Sequence, residues 1–324
     1  MKEVVFIERN ITRWQRFEKI LLAPRQINPD ELASLFIQLT DDLAYARTFY
    51  PKSDATRYLN QLALKSHLLI YKNKRERSNR IIMFWTIEFP LVIKETYRSL
   101  LWSTLIFLIA GFIGALSAAN DSDFVRLIMG DEYVNKTLYN IENKDPMAVY
   151  KSANEMEMFL GITINNIRVA FYAFVMGLLI SLGTGYILFH NGIMIGSFLY
   201  FMYFNGVFYE ANLAIWMHGT IEIFSILVAG AAGLEIGNSI LFPQTYRRID
   251  SFKMGAKKGL KMVIGLVPFF IAAGFIEGFI TRYTHAPDWI RLSFIGLSVI
   301  LIIWYFFIYP VQVIKKLQAT NLIN

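Results

Sequence analysis

"AIWMHGTIEIFSILVAGAAGLEIGNSILFP", residues 214–243, is an apolar run of membrane-spanning length that carries His218, Glu222 and Glu235. About 20 predominantly apolar residues suffice for a helix to cross the hydrocarbon. The run therefore decides the fold class, and its polar residues pose the functional question. The rest of the chain has the same character. Of 324 residues, 55% are hydrophobic, 15% aromatic and only 18% charged, and the apolar residues fall in long blocks. Such a chain is an all-α, polytopic transmembrane helical bundle. With no cysteine, it forms no disulfide, no thiolate zinc site and no cysteine nucleophile. The opening "MKEVVFIERNITRWQRFEK" is charged throughout and has no signal-peptide core, so cleavage or export of the N-terminus is not expected.

Hydropathy predicts six spans: Leu100–Ala119, Ile162–Leu188, Gly192–Val207, Leu213–Leu241, Val263–Ile280 and Ile290–Tyr309. Charge orients them. Residues 1–98 hold 17 Lys and Arg against 11 Asp and Glu, whereas residues 120–160 hold 4 against 8. Residues 243–261, "PQTYRRIDSFKMGAKKGLK", hold 6 against 1, and Lys315 and Lys316 lie in the tail. Placing the basic segments in the cytoplasm puts both termini inside, which six spans allow. The net charge of +7 is thus an orientation signal, and no nucleic-acid partner is expected.

The expected organisation is a cytoplasmic helical domain over 1–80, an interfacial helix over 81–99, a six-span membrane domain over 100–310 with an external loop at 120–161, and a cytoplasmic tail over 311–324. In the first domain Trp14, Phe17, Ile20 and Leu21 recur at helical spacing. A second helix is expected from Asn28 as cap and Pro29 at the first position, with a stripe of Leu32, Leu35, Phe36, Leu39 and Leu43, ending at Pro51. A third runs from Ser53 to about Tyr71. The segment before span one either lies flat at the membrane surface or extends that span. The external loop, with Phe124, Leu127, Ile128, Tyr133, Leu138, Tyr139 and Tyr150 among acids, is expected to form short amphipathic helices. These pack as a lid on their own bundle in preference to a partner.

Depth brings the polar residues together. Asn165, Asn166 and Arg168 fall in the outer third of span two, His218 and Glu222 in the outer half of span four, and Glu277 near the outer end of span five. His218 and Glu222, four residues apart, share a helix face. A charge facing lipid costs about 2.5 to 3.5 kcal/mol on insertion scales, so the six are expected to form one buried polar cluster. Arg168 is its one cation, expected to pair with Glu222 or Glu277, and the cluster serves as structural glue or as a ligand, proton or partner site. Glu235 is assigned to an inner-end contact near Arg247 and Arg248. Gly192, Gly196, Gly219, Gly233, Gly237, Gly274 and Gly278 are expected to let helices pack closely. Span four, at 29 residues, is expected to tilt or to break near "AGAAG".

Three stretches carry a resemblance: "NNIRVAFYAFVMGLLISLGTGYILFHNGIMIG" (165–196), "HGTIEIFSILVAGAAGLEIG" (218–237) and "IEGFITR" (276–282). Together they resemble the stage II sporulation protein M family, including relatives in non-sporulating bacteria, over spans two to five. The resemblance implies a bacterial inner-membrane protein without established catalysis. In spore formers the family joins peptidoglycan-degrading partners during engulfment. It maps family-type positions onto Asn165, Asn166, Arg168, Gly192, His218, Gly219, Glu222 and Glu277. The N-terminal helical domain departs from the short sporulation protein.

The expected function is that of a non-enzymatic component of a cell-envelope complex, docking partner proteins through the outer polar cluster. The alternative is a permease subunit working with a separate ATPase, since no G-x-x-x-x-G-K-[ST] loop is present. Last comes an intramembrane metal-dependent hydrolase on His218 and Glu222. Metal hydrolysis normally needs three protein ligands, and only one membrane histidine is well placed, so no metal, cofactor or catalytic residue is expected. Expected partners are membrane lipid and envelope proteins, with homo-oligomerisation as a further option.

Overall fold

The computed structural model describes residues 2–22, 29–71, 80–151, 154–283 and 286–319. Asn28, the side chains of Leu32 and Tyr150, and tail residues 320–324 lie outside the described residues. All elements among the described residues are helical, and the chain divides into two units, Met1–Asn79 and Arg80–Asn324.

In the first unit α1 (Glu3–Leu22), α2 (Pro29–Phe49) and α3 (Asp54–Tyr71) bury Phe6, Trp14, Phe17, Leu39, Leu43, Ala46, Leu59 and Leu62 together. Ile20, Leu21, Leu35 and Phe36 pack at the edge of this core. Pro51 follows the end of α2, as a residue unable to continue a helix should. The Trp14 indole Nε1 donates to Asp42 at 2.8 Å, and Arg13 forms an ion pair with the same carboxylate. The Tyr58 hydroxyl donates to Glu18 at 2.8 Å, so α1 is tied to both α2 and α3.

The second unit opens with α4 (Arg80–Met83), a π-helical turn (Phe84–Glu88) and α5 (Phe89–Glu95). Its first residues, Ile81, Ile82 and Met83, are exposed. Thr96 interrupts the helix, and Phe89, Pro90, Val92 and Ile93 are buried. Trp85 Nε1 donates to the Gly265 carbonyl at 3.1 Å, while Tyr305 donates to the Trp85 carbonyl at 2.6 Å.

Among the described residues, six helices are long and apolar enough to cross a membrane. They are α6 (Tyr97–Asn120), α9 (Glu155–Val175) with its 3₁₀ end at Leu178, α10 (Leu182–Phe204), α11 (Phe208–Leu241), α12 (Arg248–Phe275) with a π-helical end at Thr281, and α13 (Asp288–Ile302), which runs through a π-helical stretch into α14 (Tyr309–Ala319). Between α6 and α9 lie α7 (Ser122–Met129), α8 (Asp131–Glu142) and a 3₁₀ turn, Ala148–Lys151. Side chains start two of these helices: Asp121 accepts from the Asp123 N–H at 2.9 Å and Asn154 from the Glu157 N–H at 2.8 Å. Val125, Val134 and Met147 bury themselves against Ala118, Phe201, Met202, Ala211 and Ala214, so the α7–α8 segment is a lid packed on its own bundle.

Three boundaries differ from the hydropathy reading. Spans two and three meet at residues 179–181, where Ile180 and Ser181 adopt φ of 55° and 66°, and not near Gly192. Leu179 and Ile180 make this turn as apolar as the spans it joins, so hydropathy runs through it. Span four does not break at "AGAAG": α11 is continuous over 34 residues, about 51 Å, more than hydrocarbon thickness. The basic segment after it is helical too, forming the first turns of α12, where Lys258 meets Glu95 at 2.7 Å and Lys261 meets Glu88 at 2.5 Å.

α11 is the central helix, packed against all five other spans. Small residues permit this. A side chain at Gly233 would collide with the Ala173 carbonyl and Thr184, one at Gly237 with Ser181, one at Gly196 with the Gly111 backbone, and one at Gly192 with the Phe107 carbonyl. Gly274 faces Thr163 and Gly278 faces Phe159 across the α9–α12 contact. Gly219 is different: only side chains of its own helix lie nearby, so it is no helix crossing point. Hydroxyl groups stitch the same crossings, Thr184 donating to the Ala173 carbonyl at 2.7 Å and Ser103 to the Leu227 carbonyl at 2.7 Å. Glu235 accepts from Ser99 near the start of α6, and Arg247 pairs with Asp250.

Candidate functional site

At the lid end of the bundle, α11 presents His218 and, one turn later, Glu222 toward the π-helical end of α12, where Glu277 and Thr281 sit. One ligand atom from each of His218, Glu222 and Glu277 lies within 4.8 Å of the other two. His218 is buried at 5% exposure, and its Nε2 stands 3.6 Å from Glu277 Oε2. Its other ring nitrogen, Nδ1, lies 3.2 Å from the Thr281 hydroxyl. That hydroxyl in turn donates to the Ile276 carbonyl at 3.2 Å, a contact of the π-helical turn. π-Helical turns recur at functional sites because they re-aim side chains without ending the helix.

α9 closes the third side. The buried Asn166 amide hydrogen-bonds the Glu222 carboxylate, and Thr163, one turn earlier, packs over Gly274. Above them the lid contributes Tyr133. Burial pushes its phenol above the ordinary value, a hydrogen bond with Thr137 opposes this, and the nearby Glu277 charge adds to it. The 3₁₀ turn Ala148–Lys151 packs on the Glu277 turn as well. A groove of about 450 Å³ elsewhere under the lid, lined by Val125, Arg126, Leu138 and Phe204, includes none of these residues.

The structure therefore brings together four of the six expected residues, Asn166, His218, Glu222 and Glu277. Asn165 and Arg168 are exposed on the opposite face of α9, and among the described residues Arg168 makes no ion pair. The reason is angular: residues 166 and 168 are two apart, about 200° around a helix, and cannot share a face. At this end the partly buried Arg282 pairs with Glu155 at 2.5 Å. Sequence reasoning missed Thr281, and it named Tyr133 only among the apolar residues of the lid. The expectation of no metal rested on too few ligands. Glu277 supplies a third beside His218 and Glu222.

Five apolar helices around a central sixth, with a buried histidine–carboxylate cluster beneath a helical lid, define a polytopic membrane protein of the helical-bundle class. The model of the family Stage II sporulation protein M matches residues 103–282, more than half of the chain, and the chain belongs to that family. The match begins within α6 and takes in the whole cluster through Thr281. Residues 4–72 match a domain of unknown function, DUF8413. No curated protein and no solved structure matches the chain.

Proposed function

We propose that this protein is a non-enzymatic component of a bacterial inner-membrane envelope complex, and that it docks a partner's transmembrane helix on the outward face of α9. The supporting observation is Arg168, exposed near the middle of a 24-residue span with Asn165 one turn away. An arginine facing lipid at that depth costs about 2.5 to 3.5 kcal/mol, a cost that a carboxylate on a partner helix would remove. Gly161, one turn before Asn165 with open space around it, leaves room for close approach. The docking surface is thus the exposed part of the expected cluster and not its buried part. Affinity purification in mild detergent tests the reading. Peptidoglycan enzymes are expected among the retained proteins, and Arg168→Leu is expected to reduce their recovery about 10-fold, the equivalent of ~1.4 kcal/mol, while leaving the monodisperse fraction unchanged. Undiminished recovery with Arg168→Leu would reject the surface, and retention of an ATPase in place of envelope enzymes would favour the permease reading.

The same proposal places both termini in the cytoplasm and the α7–α8 lid outside, on the charge asymmetry of the loops. The cysteine-free background makes this direct to measure. Single cysteines at Asn143 and Lys257 are expected to react with an impermeant maleimide from opposite sides of the membrane.

A further inference from the structure

We propose that His218, Glu222 and Glu277 are the protein ligands of a divalent first-row transition-metal cation. This site is separate from the docking face on α9, and the proposal stands or falls independently of it.

His218 approaches the Thr281 hydroxyl through Nδ1, at 3.2 Å, and that hydroxyl also lies 3.2 Å from the Ile276 carbonyl. The other ring nitrogen, Nε2, faces Glu277 Oε2 at 3.6 Å. A neutral imidazole with its proton on Nδ1 would offer the Nε2 lone pair to a cation. Ligand atoms from one histidine and two carboxylates thus converge on one small volume, all within 4.8 Å of one another, which is the normal arrangement around a cation.

The spacing fits. Two ligands each about 2.1 Å from a tetrahedral zinc stand about 3.4 Å apart, close to the observed 3.6 Å, and the Glu222 oxygen comes into range by a modest rotation within the 4.8 Å group. The charge fits as well. Two ionised carboxylates and a neutral imidazole carry a charge that one dication balances, and among the described residues neither carboxylate has a lysine or arginine within ion-pair distance. The supporting contacts are those of metal sites: Thr281 holds the non-ligating nitrogen of the histidine, and Asn166 holds a carboxylate. An imidazole with two carboxylates and no thiolate selects zinc, manganese or iron(II) over the soft copper(I) ion, and the imidazole disfavours magnesium and calcium. Three protein ligands leave a coordination position for water or for a group brought by another molecule.

Tag-free full-length protein in mild detergent, stripped with a chelator, loaded with Zn²⁺ and freed of excess ion, provides the test. Elemental analysis is expected to find about one zinc per chain. Glu277→Gln is expected to lower this to about a tenth, and Asn166→Ala to weaken zinc affinity about 10- to 100-fold. Glu235→Gln, a carboxylate outside the site, is expected to bind as the parent does. Wild-type protein that retains only a small fraction of an equivalent of Zn²⁺, and of Mn²⁺ in a parallel loading, overturns the proposal, as does a folded Glu277→Gln that retains a full one. X-ray absorption at the zinc edge of the wild type decides the matter even if the variants do not fold. One nitrogen ligand among oxygens is expected, and two or more imidazoles would place the ion elsewhere, because His218 is the only histidine in the cluster.

Discussion

Gly233→Val is expected to abolish the folded, monodisperse protein. The added carbons would land on the Ala173 carbonyl and on Thr184, and the reciprocal contact is just as close, since a side chain at Gly177 would strike the backbone of Gly233 itself. Backbone cannot rotate aside as a side chain does, so α9 and α11 would have to separate. That separation opens a gap beside the most buried helix in the bundle. Overpacking in a well-packed interior typically costs 1–3 kcal/mol, and a rigid backbone–backbone collision belongs at or above the top of that range. Gly185→Val is the control: it lies in α10, with open space where its side chain would go, and should behave as the parent does. Fluorescence-detected size exclusion of the two variants in detergent measures the contrast. Equal monodispersity would mean that α9 and α11 cross elsewhere.

The second large effect is expected in the first unit. Trp14→Ala removes a side chain 1% exposed, at the centre of a three-helix core, and leaves the Asp42 carboxylate without its indole donor. Deleting a buried tryptophan typically costs about 3–5 kcal/mol, whereas a small domain has only about 5–15 kcal/mol in total and one of this size sits at the low end. Residues 1–79 expressed alone are expected to show a helical circular dichroism spectrum with a cooperative urea transition. Trp14→Ala should shift that transition to the lowest urea concentrations or remove it. Trp14→Phe, which keeps an aromatic ring and loses the N–H, should cost less. A parent fragment with a random-coil spectrum would mean that these helices need the rest of the protein.

Most of the fold was legible because hydrocarbon demands long apolar segments and the loops punctuate them with charge. What escaped was what hydropathy cannot register. The turn at Ile180 and Ser181 is made by backbone conformation in apolar residues, and the continuity of α12 from Arg248 is hidden by its basic first turns. For the site, spacing was informative within one helix and depth was informative between helices. His218 and Glu222 follow from four-residue spacing, and Glu277 from its depth. Depth alone also drew in Arg168, because α9 has apolar residues on its lipid side as well as its packed side and its pattern does not declare which face is inward. The angle between Asn166 and Arg168 would have separated them. Thr281 needed the π-helical turn, which no residue pattern announced.

The position of α11 has a consequence for biogenesis. Its polar residues find their partners on helices from both sides of it in the chain: Asn166 comes earlier, but Glu277 and Thr281 come later. Synthesis at roughly 5–20 residues per second delivers Glu277 about 3 to 11 seconds after Glu222. Over that interval the nascent helix that organises the whole bundle carries His218 and Glu222 without the segment that completes their site. The insertion machinery must therefore retain α11 beside its protein-conducting channel, or shelter it with a membrane chaperone, until α12 arrives.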